Sequence, residues 1–111
     1  MKVIFSHGKE SGPWGFKIKR LAAIAEQMGC DVESIDYTDL IDPDSRVERL
    51  LAVLDNQTES IILVGSSMGG YVSLVASESV NTKGLFLMAP ALYIPSYKQQ
   101  QHQSMSPWIE I

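Results

Sequence analysis

The chain has 111 residues, 45% hydrophobic and 20% charged, with a formal net charge of −4 and a single cysteine. That length supports one packed core. The acidic balance gives a nucleic-acid partner no electrostatic footing, and one cysteine excludes an intramolecular disulfide. No apolar run approaches the roughly 18 residues of a membrane-spanning helix. The opening "MKVIFSHGKE" lacks the apolar region and cleavage site of a signal peptide, so the sequence predicts a cytoplasmic protein with no membrane partner.

In chain order, "KVIFS" is a compact β-branched and aromatic run and predicts a first strand. From Trp14 to Met28 the apolar positions Trp14, Ile18, Leu21, Ala25 and Met28 recur at helical spacing, and Gly29 follows as a C-terminal stop. "CDVESIDY" reads as a second strand, with Cys30 as small packing at its start. Asp42 then Pro43 is a helix start, a capping carboxylate followed by a ring whose fixed φ suits the first helical position. Val47, Leu50, Leu51 and Leu54 supply that helix with its apolar stripe. "SIILVG" is apolar throughout, as in a parallel strand covered on both faces. A helix from Met68 to Ser77 and another apolar strand, "GLFLMAP", come next. "SYKQQQHQSMS" is polar and irregular, hence loop or lid, and "PWIEI" begins a further strand. Strand and helix alternating in this way predict a single α/β domain over residues 1–111, a parallel sheet flanked by helices on both faces in three α/β/α layers.

The stretch Gly65-Ser66-Ser67-Met68-Gly69 matches G-x-S-x-G and falls between a predicted buried strand and a predicted helix, the context that gives this motif meaning. A serine at such a bend projects its hydroxyl beyond the sheet. The crowding there is relieved by Gly65 and Gly69, two residues to either side. The following helix aims its first N–H groups at the same spot, so a developing oxyanion would meet the backbone N–H of Met68 and the helix dipole. Ser66, at the wrong position in the turn, reads as a spacer. The plainer alternative is a glycine-rich phosphate loop, but the Walker lysine and the G-x-G-x-x-G spacing are both missing.

"VIFSHG", then "LVGSSMGGY", then "GLFLMAPAL" resembles the α/β-hydrolase superfamily, and more closely its small bacterial serine esterases with little or no cap. The resemblance covers nearly the whole chain. It implies that the His-Gly strand lies beside the nucleophile strand and that Ser67 is the nucleophile. The second oxyanion donor is then the backbone N–H of Lys9, or of Glu10. Gly8 would let the backbone approach closely, and His7 would brace the oxyanion loop rather than act as base. The implied substrate is a small-molecule carboxylic ester or thioester, with no cofactor.

A serine hydroxyl needs a base, and the base an orienting partner. The superfamily order is Ser, acid, His. After Ser67 the acids are Glu78 and Glu110, and the sole histidine is His102, in the polar loop. His102 is the one candidate base, against the plainer account of a solvated loop histidine. The resemblance places acid and histidine after the strand that "PWIEI" begins, so the expectation is a sheet incomplete at its C-terminal side and weak activity for these 111 residues. A non-catalytic binding or assembly domain on the same scaffold is the rival reading, and a flavodoxin-like nucleotide-binding domain ranks behind it. Asp36, Asp39, Asp42 and Asp44 crowd one loop, but without calcium-loop spacing they read as a solvated, helix-capping turn, and no metal site is expected. Trp14, Tyr93 and Tyr97 are candidates to contact substrate. An unpaired terminal strand would invite a homodimer.

Overall fold

The computed structural model describes residues 1–111. Five strands and three helices alternate as β1 (Lys2–Ser6), α1 (Phe16–Gln27), β2 (Asp31–Ile35), α2 (Pro43–Leu54), β3 (Ile61–Ser66), α3 (Met68–Ser77), β4 (Gly84–Met88) and β5 (Trp108–Glu110). The sheet order is β2-β1-β3-β4-β5, and every neighbouring pair is parallel. No helix is long and apolar enough to cross a membrane.

Alternation along the central strands divides the core in two. Ile4, Leu63, Leu85 and Leu87 face α2 and α3 and join Val47, Leu50, Leu54, Tyr71 and Leu74 in the larger cluster. Val3, Phe5, Val64 and Met88 face the other way and meet Ile18 and Ala22 of α1. Because both faces are covered, β1 and β3 contain almost nothing polar, which is the apolar continuity read in the sequence. Helix α3 crosses the middle of the sheet with nine of its ten residues buried, Val75 being the exception. Only small and apolar residues fit there, and its sequence, MGGYVSLVAS, supplies them.

Helix α2 starts as predicted. Asp42 accepts from the Ser45 N–H at 2.8 Å, and Pro43 takes the first helical position. Helix α1 departs from its predicted bounds. It starts at Phe16, two residues after Trp14, and ends at Gln27. Trp14 is 46% exposed and Met28 78% exposed, so the outer members of the predicted stripe are not core. A lone helix on that face buries only a narrow strip, centred on Ile18 and Ala22. Cys30 is half-buried against the same cluster. Strand β5 is exposed along its length.

Position follows from topology. The chain leaves β1 for α1 on one face and leaves β3 for α3 on the other, although β1 and β3 are hydrogen-bonded neighbours. Their C-terminal ends therefore diverge and open a crevice, the place where open α/β sheets bind ligands. Ser6 pairs with Gly65 at this edge, which brings His7-Gly8 beside Ser66-Ser67.

Candidate active site

Ser67 links β3 to α3 with φ 53° and ψ −118°, a conformation that a residue with a side chain adopts only under constraint. Three hydrogen bonds impose it. The Ser67 N–H donates to Met88 O at 3.0 Å, and the Ser67 carbonyl accepts from the N–H groups of Gly70 and Ala91, each at 2.9 Å. The residue is exposed while Met68, Gly69 and Gly70 behind it are buried. The bend is thus clamped through its main chain and leaves Ser67 exposed.

The flanking glycines are steric necessities. A Cβ on Gly65 would lie 2.2 Å from the Gly69 carbonyl oxygen, and one on Gly69 would lie 1.9 Å from the carbonyl oxygen of Ser6. Neither neighbour is a side chain that could swing aside. Gly70, which the sequence alone did not single out, is equally confined, its Cβ position falling 2.6 Å from Pro90 Cβ. Gly8 lies directly against Ser67, where a Cβ would come within 3.4 Å of Ser67 Cβ.

His7 is fully buried. Its Nε2 accepts the Tyr37 N–H at 2.9 Å, which leaves Nδ1 to donate to the Gly8 carbonyl at 2.6 Å. Burial holds its pKa below the ordinary histidine value, with the Arg46 charge acting in the same direction. His7 is therefore a neutral ring with both nitrogens engaged in main-chain bonds.

Arg46 and Tyr37 surround that loop and escaped the sequence reading. Tyr37 is fully buried, its hydroxyl 2.7 Å from Ser6 Oγ, and burial raises its pKa strongly. Arg46 is 1% exposed. Its Nε donates to Leu40 O at 2.8 Å, its Nη1 to Gly8 O at 3.2 Å and, more weakly, to His7 O at 3.4 Å. Its guanidinium carbon lies 5.4 Å from the centre of the Tyr37 ring. The available signal was positional, since Arg46 stands one helical turn before Leu50 and two before Leu54, inside the apolar stripe of α2.

His102 lies elsewhere than expected of a loop histidine. Its side chain is 3% exposed, with Nδ1 3.8 Å from Glu78 at the C-terminal cap of α3. The ring stands edge-on to Tyr71 and Tyr93 at 5.9 Å from each, and neither nitrogen has a hydrogen-bond partner. The solvated loop histidine of the sequence reading is thus corrected: aromatic rings and the α3 surface enclose it. Glu78 meanwhile receives Gln99 Nε2 at 2.7 Å and the Gln103 N–H at 2.9 Å, which ties the 96–106 segment to α3. No hydrogen bond joins Ser67 Oγ to His7 or His102.

Two clefts adjoin Met68 and Ser66, the residues on either side of Ser67. One of about 520 Å³ is lined by Lys9, Met68, Ile41, Pro43, Ile94 and Tyr97. The other, about 310 Å³, is lined by Ser66, Ser11, Phe16 and Ile18. Tyr93 is 65% exposed at φ 61°, and Trp14 belongs to neither lining. The crowded aspartates each have a protein partner. Asp36 accepts from Thr38, Asp39 from Arg49, Asp42 caps α2, and Asp44 accepts the Tyr71 hydroxyl at 2.8 Å.

A parallel sheet with its serine on a strained strand-to-helix bend at the topological switch point defines the chain as a member of the α/β-hydrolase superfamily. A structure from Xanthomonas campestris pv. campestris, ascribed to a hydrolase of that superfamily, superposes with a TM-score of 0.88 at 31% identity, covering 98% of this chain and 69% of that one. Residues 2–106 match UPF0227, described as an uncharacterised protein family, and the chain belongs to that family. The same fold recurs in alpha/beta hydrolase domain-containing protein 10 from mouse (TM-score 0.69, 24% identity, 82% of this chain and 41% of that one). It recurs also in a pyrethroid hydrolase from Sphingobium faniae JZ-2 (TM-score 0.67, 17% identity, 83% and 40%). The chain thus spans about two thirds of the first relative and two fifths of the others. No curated protein sequence matches it.

Proposed function

We propose that this chain carries the nucleophile and oxyanion site of a serine hydrolase that cleaves a small carboxylic ester or thioester. The observation that carries the reading is Ser67 held at φ 53° on an exposed bend between Gly65 and Gly69. Ser67 Oγ attacks the substrate carbonyl carbon and gives its proton to a base. The carbonyl oxygen becomes an oxyanion between the N–H groups of Met68 and Lys9, which need no reorganisation to receive it. Collapse expels the alcohol or thiol, and water then releases the acyl group from Ser67.

Neither histidine of these 111 residues is placed to serve as that base. His7 spends both nitrogens on main-chain bonds, and His102 is enclosed beside Glu78, Tyr71 and Tyr93. The same two placements favour the rival reading, a scaffold whose serine is never activated. A fluorophosphonate probe separates them. Labelling of the intact protein at Ser67, lost in Ser67→Ala along with turnover of short-chain aryl esters, supports the hydrolase. An unlabelled, inactive intact protein with normal folding refutes it.

A further inference from the structure

Arg46 combines three properties that seldom occur together. It is 1% exposed, it has no carboxylate partner, and its Nε and Nη1 bond only main-chain carbonyls. Removing a guanidinium from water without a counter-charge is expensive, and an apolar side chain on α2 would avoid the cost. The bonds are local to one place. Two of the three carbonyls belong to His7 and Gly8, the residues that lead into the candidate oxyanion donor.

A trans peptide fixes its C=O and N–H in one plane, pointing opposite ways. The Gly8 carbonyl is turned inward, accepting from His7 Nδ1 at 2.6 Å and Arg46 Nη1 at 3.2 Å. The Lys9 N–H in that same peptide is consequently turned outward. It makes no hydrogen bond within the protein, and Lys9 shares a cleft lining with Met68. Two donors on one oxygen, one of them cationic, also draw electron density through the peptide and strengthen the opposite N–H as a donor.

We infer that Arg46 is a positioning residue of the oxyanion site, locking the tilt of the Gly8–Lys9 peptide so that the Lys9 N–H faces the carbonyl oxygen attacked by Ser67. The inference rests on the hydrolase reading above. Arg46 touches no reacting atom and acts only through this peptide. Its effect therefore falls on transition-state stabilisation, in kcat, and not on substrate affinity.

The test uses the intact protein and its Arg46→Lys, Arg46→Met and Ser67→Ala variants. Turnover of an aryl ester is normalised to serines titrated by fluorophosphonate, so that unfolded molecules are not counted. Removing one oxyanion donor costs about 10²–10³ in kcat, so a mis-aimed donor in Arg46→Lys is expected to lower kcat by about 10–100-fold. KM should change by less than about threefold, because ground-state contacts are untouched. Affinity for a boronic acid that mimics the tetrahedral intermediate should fall in parallel with kcat, a change a purely structural role would not produce. Arg46→Met leaves the Leu40 and His7 carbonyls without their donor and can fail to fold, in which case Arg46→Lys carries the comparison alone. Unchanged kcat and unchanged boronate affinity in Arg46→Lys overturn the inference while leaving Ser67 as nucleophile. An active Ser67→Ala, or an inactive wild type, overturns both.

Discussion

Gly69→Ala tests the site's geometry most sharply, because two ordinary rules give it opposite signs. In an exposed helix the change gains about 1 kcal/mol of helix propensity. Here the added Cβ would meet the Ser6 carbonyl oxygen at 1.9 Å, where ordinary contact begins at 3.4 Å. The difference, 3.4 − 1.9, requires α3 and the end of β1 to separate by about 1.5 Å at this point. Forcing a methyl into a close-packed contact costs about 1–3 kcal/mol, and more when the obstacle is backbone. We expect Gly69→Ala to lose about 3 kcal/mol. The shift falls on Ser6 and His7, which carry Gly8 and Lys9, and a misplacement of about 1 Å costs on the order of 10² in rate. Urea unfolding gives the stability, and ester turnover per titrated serine gives the rate. Gly12→Ala is the control. It meets nothing within 4 Å and suffers only its φ of 71°, so it should cost about 1 kcal/mol and leave turnover intact. A Gly69→Ala protein with wild-type midpoint and wild-type turnover would refute the packing argument.

Ser67→Gly should remove fluorophosphonate labelling yet raise the unfolding free energy by roughly 1 kcal/mol, because glycine relieves the strain of φ 53°. A loss of stability would show that the bend is not strained. For His7, burial lowers the folded-state pKa. The unfolded chain therefore takes up a proton first, near the ordinary value of about 6.5. The stability this group contributes is present above that pH and is lost as pH falls toward the depressed folded value. Urea midpoints between pH 7.5 and 5 should decline along this course, and His7→Gln, itself less stable, should lose that part of the slope. A midpoint independent of pH over the range would contradict a neutral buried ring.

Much of the site was legible because it is local. The G-x-S-x-G bend needs only five consecutive residues, and the glycines that relieve it stand at fixed offsets from Ser67. Helix α2 announced itself through Asp42 and Pro43, and α3 ran from Met68 to Ser77 as its pattern indicates. The failures were at margins or over distance. Trp14 and Met28 fit the helical period, but burial depends on what covers the helix, and α1 has no helical neighbour on its face of the sheet. His102 sits in a polar stretch of sequence, yet aromatic rings from α3 and the 93–97 segment enclose it.

Period and composition by themselves determined an α/β chain with its serine where a covered strand turns into a helix, because backbone sterics and side-chain spacing act between near neighbours. Only the folded sheet decided that β1 ends beside β3, with Ser6 paired to Gly65, 59 residues away in sequence. The same long-range closure set an arginine from α2 against the carbonyls of His7 and Gly8. Contacts of that kind are selected by the packing of the whole core, and no window of sequence contains both partners.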